Sequence, residues 1–236
     1  MKRFICLFMT AILSFMVFTS TLFAAESLDY WYSSASNIYR YYNNNVNVYI
    51  SSRGHLPAAS LDSYIKHAGA AWENSIGTSR IDIVYVSSSS NANIIAEDIT
   101  RAEANSYGHP TSAVAVGGTV TGTSYATASY NGSLKTFYKG NTGMIRLIWG
   151  ESTRYQSISA WKYTAAHELG HALGYRGHNP NSGTLMYATF DPNNIIFTTP
   201  RTKDHDHMVL VYLGGDYETF INITYDYFTL SSSWLL

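Results

Sequence analysis

Short runs of apolar residues, alternating or continuous, occur along the first two thirds of the chain and predict β-strands. The runs lie at residues 46–50, 81–86, 92–96, 113–116 and 144–149. Longer stretches between and after them repeat apolar residues every three or four positions, as amphipathic helices do. Because several strands precede two of these helices, the pattern predicts an α+β fold.

Two long helices have clear start signals. Pro57 opens the first, over residues 58–76, and its fixed backbone angle suits the first turn of a helix. Its apolar residues, at positions 61, 64, 65, 68, 72 and 76, form one stripe that we assign to the core. The second helix begins near Ser157, where Ser157 or Ser159 can cap it.

A third helix is predicted from Thr199-Pro200 to about residue 213, where two glycines end it. His205 and His207 flank Asp206 in this helix. Alternate helical positions do not face each other, so we interpret these side chains as a solvated face rather than a metal-binding cluster.

The second helix carries a pattern that predicts a metal centre. His167 and His171 are four residues apart, so both imidazoles lie on one face of the helix and can bind one ion. Glu168 lies beside the first ligand but is offset around the helix, where it can act as a base without binding the metal. Gly174 can end the helix and let the chain turn back towards His178.

A third ligand is required, because two protein ligands rarely hold a catalytic zinc. His178 is nearest in sequence and well placed after the glycine. Asp191, Asp204 and Asp206 remain alternatives in principle.

These residues resemble the signature of the metzincin zinc endopeptidases, His-Glu-x-x-His-x-x-Gly-x-x-His followed by a methionine turn. Within that clan, the motif is most similar to that of the matrixins, the matrix-metalloproteinase-like group. The likeness lies in His-Glu-Leu-Gly-His-Ala-Leu-Gly from His167 to Gly174 and in Leu185-Met186-Tyr187 after it. His178 comes one residue later than in the commonest spacing, as in the longer form of the archaemetzincins.

The resemblance implies a zincin domain with a mixed twisted sheet, an active-site helix, a methionine turn and a C-terminal helix. It also implies one catalytic Zn²⁺ per chain, with Met186 as an apolar floor under the metal. Tyr187 is then expected in the outer wall of the substrate pocket, and Asp204 resembles the family acid that bonds the backbone of the methionine turn.

The same family carries structural zinc and calcium sites in the region that corresponds to 98–142. Here that region is rich in Gly, Ser, Thr and Tyr, and we interpret most of it as a long loop beside the cleft. Its metal-ligating residues are few, namely Glu97, Asp98, Glu103 and His109. Ca²⁺ binding is therefore possible but cannot be assigned to residues.

The N-terminal end of the chain predicts secretion, and both ends extend beyond the predicted catalytic domain. Lys2 and Arg3 precede an apolar run that ends in two alanines, so residues 1–25 are interpreted as a signal peptide rather than an uncleaved anchor. The only cysteine, Cys6, lies within it. Residues 26–45 are expected to be an N-terminal extension or short propeptide, 46–215 the catalytic domain, and 216–236 an extension packed on it.

The charge balance argues against some partners. Removing Lys2 and Arg3 lowers the basic residues from 15 to 13 against 16 acidic ones, so the net charge changes from −1 to −3. We expect no nucleic-acid partner, no stable membrane association after cleavage, and a monomer that acts on proteins or peptides.

The predicted function is a secreted zinc endopeptidase in which Glu168 is the general base. Two other classes stay open. One is a secreted or cell-surface binding protein that keeps the zincin fold without proteolysis. The other is a zinc hydrolase of a non-peptide bond or a cell-wall amide.

Overall fold

The computed structural model describes residues 37–41, 43–56, 58–110, 113–130, 133–149, 157–188 and 197–212. The predicted signal peptide, the C-terminal extension and Asp191 lie outside these residues. None of the helices within the described ranges is both long and apolar enough to cross a bilayer.

Within these ranges, six strands form one mixed sheet. They are β1 (Asn37–Arg40), β2 (Asn45–Ser51), β3 (Asp82–Val86), β4 (Ile94–Thr100), β5 (Ala115–Tyr130) and β6 (Ser133–Trp149). The order across the sheet is β3-β2-β4-β6-β5, with β1 beside the first part of β6 on the same side as β4. All pairs are parallel except β5 with β6, which is antiparallel.

Four helices in the described residues complete the fold: α1 (Ala58–Ile76), α2 (Arg101–Ser106), α3 (Ile158–Leu173) and α4 (Thr202–Val211). The main core contains buried side chains of α1, α3 and the central strands, among them Trp72, Leu169 and Ile145. Trp72 Nε1 donates to the carbonyl oxygen of Ala166 over 2.8 Å, which fixes α1 against α3. The predicted α+β class with a mixed sheet is confirmed.

The structure differs from the sequence prediction in its longest strands. We expected a strand at 113–116 within a long loop, and another at 144–149, but β5 and β6 form one hairpin of 16- and 17-residue strands. The expectation was wrong because the added residues are mostly Thr, Ser, Gly and Tyr, which give little apolar alternation. The hydrogen-bonded register with β6 holds them in the sheet.

Part of the predicted N-terminal extension lies in the sheet. Residues 37–40 form β1, and Arg40 is buried with its guanidinium 4.8 Å from the ring centroid of Tyr212. The Tyr212 hydroxyl in turn donates to the carbonyl oxygen of Leu173 over 2.5 Å. This part of the predicted extension therefore packs near the end of α3 and belongs to the sheet.

Helix α4 begins at Thr202, two residues after the predicted start at Pro200. The Asp204 carboxylate accepts the backbone N–H of Arg201 over 2.9 Å at the start of the helix, so a cap from Thr199 is not needed. The solvated-face interpretation is wrong for His207, which is fully buried with its ring centroid 4.4 Å from that of Tyr175.

Candidate metal centre

Helix α3 has well-defined ends, and its last two turns carry His167 and His171. The Ser157 hydroxyl accepts the Ala160 N–H over 3.0 Å at the start of the helix, as an N-cap does. At the other end, Gly174 has a φ of 115°, which L side chains rarely adopt, and the helix stops there. His167 and His171 therefore lie in a rigid, buried element just before a sharp turn.

Three histidine side chains converge at the end of this helix. His171 Nε2 lies 3.1 Å from His167 Nε2 and 3.3 Å from His178 Nε2. Within the described ranges, these three residues form the group of His, Cys, Asp or Glu side chains whose ligand atoms all lie within 4.8 Å of one another. Three nearby histidines can hold a metal ion.

Hydrogen bonds on the other ring nitrogens fix the tautomers of two of them. His167 Nδ1 lies 2.8 Å from the carbonyl oxygen of Leu185, and His171 Nδ1 lies 2.7 Å from that of Tyr175. A carbonyl oxygen only accepts, so each Nδ1 carries the proton and each Nε2 presents a lone pair. Two such lone pairs 3.1 Å apart cannot bond to each other, but they can share a cation.

Burial keeps these imidazoles neutral, which a ligand must be. Desolvation lowers the pKa of His167 well below its usual value, and it lowers that of His171 to about 4. His178 is exposed at the surface, and partial desolvation lowers its pKa as well. All three are therefore ready to bind a cation at neutral pH.

The spacing also fits the size of a zinc site. Nitrogens at roughly 2.0–2.1 Å from one tetrahedral Zn²⁺ lie about 3.3–3.4 Å from each other. Two separations in the structure, 3.1 and 3.3 Å, are close to this spacing. The donor set fits zinc, although imidazoles also bind other transition metals.

The turn between Gly174 and His178 explains how the longer spacing is accommodated. Tyr175 is buried and its N–H donates to the carbonyl oxygen of Gly170 over 2.9 Å. Gly177, with a φ of 75°, then reverses the chain and brings His178 back to the other two imidazoles. Asp204 and Asp206, the described alternatives for the third ligand, do not belong to the converging group.

Glu168 directly follows His167 in α3 and is in contact with β5. Its carboxylate accepts a hydrogen bond from the backbone N–H of Gly117. Loss of water around the carboxylate outweighs this bond and raises the pKa of Glu168 to about 8. A carboxyl group with a raised pKa is suited to taking up and returning a proton near neutral pH.

The predicted methionine turn lies beneath α3. Met186 is fully buried, and a Cβ added to Gly170 would come within 2.7 Å of its Sδ, so the turn and the helix are in close contact. Asp204 is also buried, and its carboxylate accepts the N–H groups of Leu185 and Met186 over 2.7 and 3.2 Å. Asp204 thus fixes the turn that supplies the carbonyl oxygen for His167.

Tyr187, predicted in the pocket wall, is partly exposed and forms a backbone bridge with Asn179. A cavity of about 250 Å³ adjoins the centre and is lined by Gly117, Gly118, His171, Tyr175, Arg176 and Gly177. Sequence reasoning did not find the β5 glycines or Arg176. The Gly117-Gly118 pair within a strand was an available signal, because glycine there often marks a close backbone approach.

The four residues considered for structural metal sites have protein partners instead. Glu97 pairs with Arg53 and Arg146, and Arg146 also lies 3.0 Å from His109 Nε2. The other two residues, Asp98 and Glu103, accept hydrogen bonds from backbone N–H groups. Asp98 accepts three N–H groups from the chain at 53–56, and Glu103 completes a capping box at the start of α2.

No protein-family model matches this chain, and a search of curated proteins finds no match either. Any functional assignment therefore rests on the geometry of His167, Glu168, His171 and His178.

Proposed function

We propose that this protein is a secreted zinc-dependent endopeptidase of the metzincin type, most similar to the matrixins. The observation that carries the proposal is the convergence of three imidazole nitrogens, together with a desolvated carboxyl group on the residue after His167 that does not join them. A metal site used only for binding or stability has no need of a desolvated acid at its edge. A hydrolase needs this acid to move protons.

The three imidazoles would hold the ion through Nε2, with the Leu185 and Tyr175 carbonyl oxygens fixing the rings of His167 and His171. When bound, zinc supplies a Lewis acid that polarises the substrate carbonyl and acidifies water. Three protein ligands leave the fourth position open for reaction.

Glu168 would then carry the proton. As base, it takes a proton from the attacking water, and as acid it gives this proton to the leaving amine. The Gly117 N–H holds the carboxyl group in place during both transfers. A bound cation favours the ionised carboxylate, so the raised pKa of Glu168 in the metal-free site is expected to fall when the ion binds.

The sheet offers a place for an extended substrate. Strand β5 forms the lateral edge of the sheet in the described residues, and its Gly117 lies against Glu168. A peptide added at an open edge gains main-chain hydrogen bonds without needing a particular sequence. We assign β5 as the substrate-binding edge, because β3, at the opposite side of the sheet, is separated from β5 by three strands.

The test is to purify the mature protein and measure zinc content together with cleavage of casein and gelatin. We expect one zinc per chain and cleavage in the wild type. Glu168→Ala should retain zinc and lose cleavage. Asp62→Ala, which removes an exposed carboxylate of α1, is the control and should behave as wild type.

The outcomes separate the competing functions. Zinc without cleavage of either protein would favour a binding protein or a hydrolase of another amide, which cell-wall fragments can then test. Absence of zinc, or equal cleavage by Glu168→Ala, would contradict the proposal.

A further inference from the structure

Two backbone carbonyl oxygens orient histidines of the centre, and both belong to residues that contact helix α4. The Leu185 carbonyl oxygen lies 2.8 Å from His167 Nδ1, and the Leu185 N–H donates to the carboxylate of Asp204 in α4. The Tyr175 carbonyl oxygen lies 2.7 Å from His171 Nδ1. The way in which α4 reaches Tyr175 is different from the way in which it reaches Leu185.

The contact between α4 and Tyr175 is made by His207. The two ring centroids lie 4.4 Å apart, with an angle of 47° between the ring planes, and both residues are fully buried. Burial lowers the pKa of His207 to about 3, so its imidazole is uncharged at neutral pH and packs as an aromatic ring. Tyr175 is therefore packed against α4 through its side chain, while its carbonyl oxygen accepts from His171.

Asp204 and His207 share one face of α4. They are three residues apart, a spacing that places helix side chains next to each other. Met208 and Val211 are also buried and continue this face into the core. One helix thus supports the partners of two histidines, through a carboxylate at the methionine turn and through a ring at Tyr175.

A shift of Tyr175 changes the hydrogen bond to His171. The Tyr175 N–H donates to Gly170 over 2.9 Å and its carbonyl oxygen accepts from His171, so its backbone is bonded twice to the end of α3. Loss of the His207 ring leaves a cavity into which the Tyr175 side chain can move, and its carbonyl oxygen moves with it. A ligand imidazole that loses its outer hydrogen-bond partner binds metal more weakly, by roughly 10- to 100-fold.

We propose that His207 is a positioning residue that holds the Tyr175 carbonyl oxygen against His171 and thereby raises the affinity of the three histidines for zinc. The inference rests on the proposed function, because it assumes that these histidines hold zinc. It adds to the centre a residue that lies outside the histidine motif and acts through Tyr175.

Four forms of the mature protein test the role of the ring: wild type, His207→Ala, His207→Phe and Ile99→Ala. His207→Ala removes the ring, whereas His207→Phe keeps a ring without its nitrogens. Ile99→Ala opens a cavity in the smaller core cluster, which does not contain Tyr175, and it controls for a general loss of stability. If His207→Ala does not fold, His207→Val, which leaves a smaller cavity, replaces it in every comparison.

The first readout is zinc affinity, measured by competition with a chromophoric chelator. We expect His207→Ala to bind zinc about tenfold more weakly than wild type, at the lower end of the range for outer partners, because His207 acts through Tyr175. His207→Phe and Ile99→Ala should bind zinc as wild type does. The second readout is the His171 tautomer, measured by NMR of the ring nitrogens in metal-free protein. Wild type should carry the proton on Nδ1 alone, and His207→Ala should show both tautomers.

Unchanged zinc affinity or an unchanged His171 tautomer in His207→Ala would overturn the inference. An equal loss of affinity in Ile99→Ala, or no recovery in His207→Phe, would overturn it as well. If wild type binds zinc but cleaves no protein, the endopeptidase proposal fails, and the zinc affinities still decide the inference. If wild type binds no zinc, the proposed function fails, and the His171 tautomer still decides whether His207 positions Tyr175.

Discussion

Glu168, which follows His167 in α3, and Asp204, which holds the turn that contacts His167, are two carboxyl groups with opposite environments. Asp204 is fully buried, and backbone N–H groups of Leu185, Met186 and Arg201 surround it at 2.7–3.2 Å. Glu168 receives the Gly117 N–H, but desolvation dominates and raises its pKa to about 8. The difference shows how the fold can give two carboxyl groups contrasting tendencies to hold a proton.

Asp98 extends the comparison to a site far in sequence from the three converging histidines. Its carboxylate accepts the N–H groups of Arg53, His55 and Leu56 at 2.6–2.7 Å, and it is fully buried. The carboxylates of Asp98 and Asp204 each accept several backbone N–H groups and thereby fix a turn of the chain. The Glu168 carboxylate does not receive such a set of backbone donors, so it can gain and lose a proton.

The largest expected effect is on catalysis at Glu168. Glu168→Gln keeps the shape of the side chain but cannot take a proton, so peptide cleavage should fall by roughly 10²- to 10⁴-fold. Zinc content and secondary structure should stay as in wild type. For Asp204→Asn, the rate per folded molecule should change far less. Equal losses of rate in both variants would remove the distinction between the two acids.

The second effect is on stability at Asp204. Asp204→Asn places an NH₂ group among backbone N–H donors, so we expect the free energy of unfolding to fall by about 3 kcal/mol. Urea denaturation of the zinc-loaded protein measures this loss. Unchanged stability would show that the three hydrogen bonds to Asp204 contribute little.

The third effect is a pH dependence. In metal-free protein, folding raises the pKa of Glu168 from 4.5 to about 8, so the folded state binds the proton more tightly than the unfolded state. The stabilising contribution is fully present below pH 4.5 and is lost as the pH rises to about 8. Glu168→Gln does not titrate. It should therefore become progressively more stable than wild type as the pH rises through this window, by about 2 kcal/mol at pH 6.

Denaturation of both metal-free proteins at several pH values measures this difference. A stability difference that does not vary with pH would mean that Glu168 is not desolvated.

The smallest effect concerns the contact between β5 and α3. A Cβ on Gly117 would overlap the backbone of Glu168, whereas a Cβ on Gly118 would meet nothing within 4 Å. Gly117→Ala should therefore cost about 1–3 kcal/mol of stability, as overpacking does, while Gly118→Ala should leave the melting temperature nearly unchanged. Equal melting temperatures for the two variants would show that β5 moves away from α3 at little cost.

The centre could be located from sequence because most of its parts lie in one stretch. His167, His171 and Gly174 follow from helical spacing and chain reversal, and the structure brings His178 to the same point. The contact between Gly117 and Glu168 could not be predicted, because it joins residues some fifty positions apart across the sheet and helix. The burial of His207 was missed for the same reason, since it depends on packing against Tyr175.

The fold was predictable where apolar residues carry the pattern. The strands at 46–50 and 81–86 and the α1 stripe were found within a few residues of their observed bounds. The β5–β6 hairpin was underpredicted because polar Thr and Ser residues dominate it. Its available signals were its many Thr and Tyr residues, which favour strands, and the Asn131-Gly132 pair between the two strands, which is typical of a hairpin turn.

The central claim, that three histidines hold one zinc ion beside Glu168, is tested most directly by zinc K-edge X-ray absorption of the mature protein with one equivalent of zinc. The account predicts three imidazole nitrogens and one further light atom at roughly 2.0–2.1 Å, and one imidazole fewer in His178→Ala. A spectrum with fewer than three imidazoles in the wild type, or a protein that binds no zinc, would contradict it.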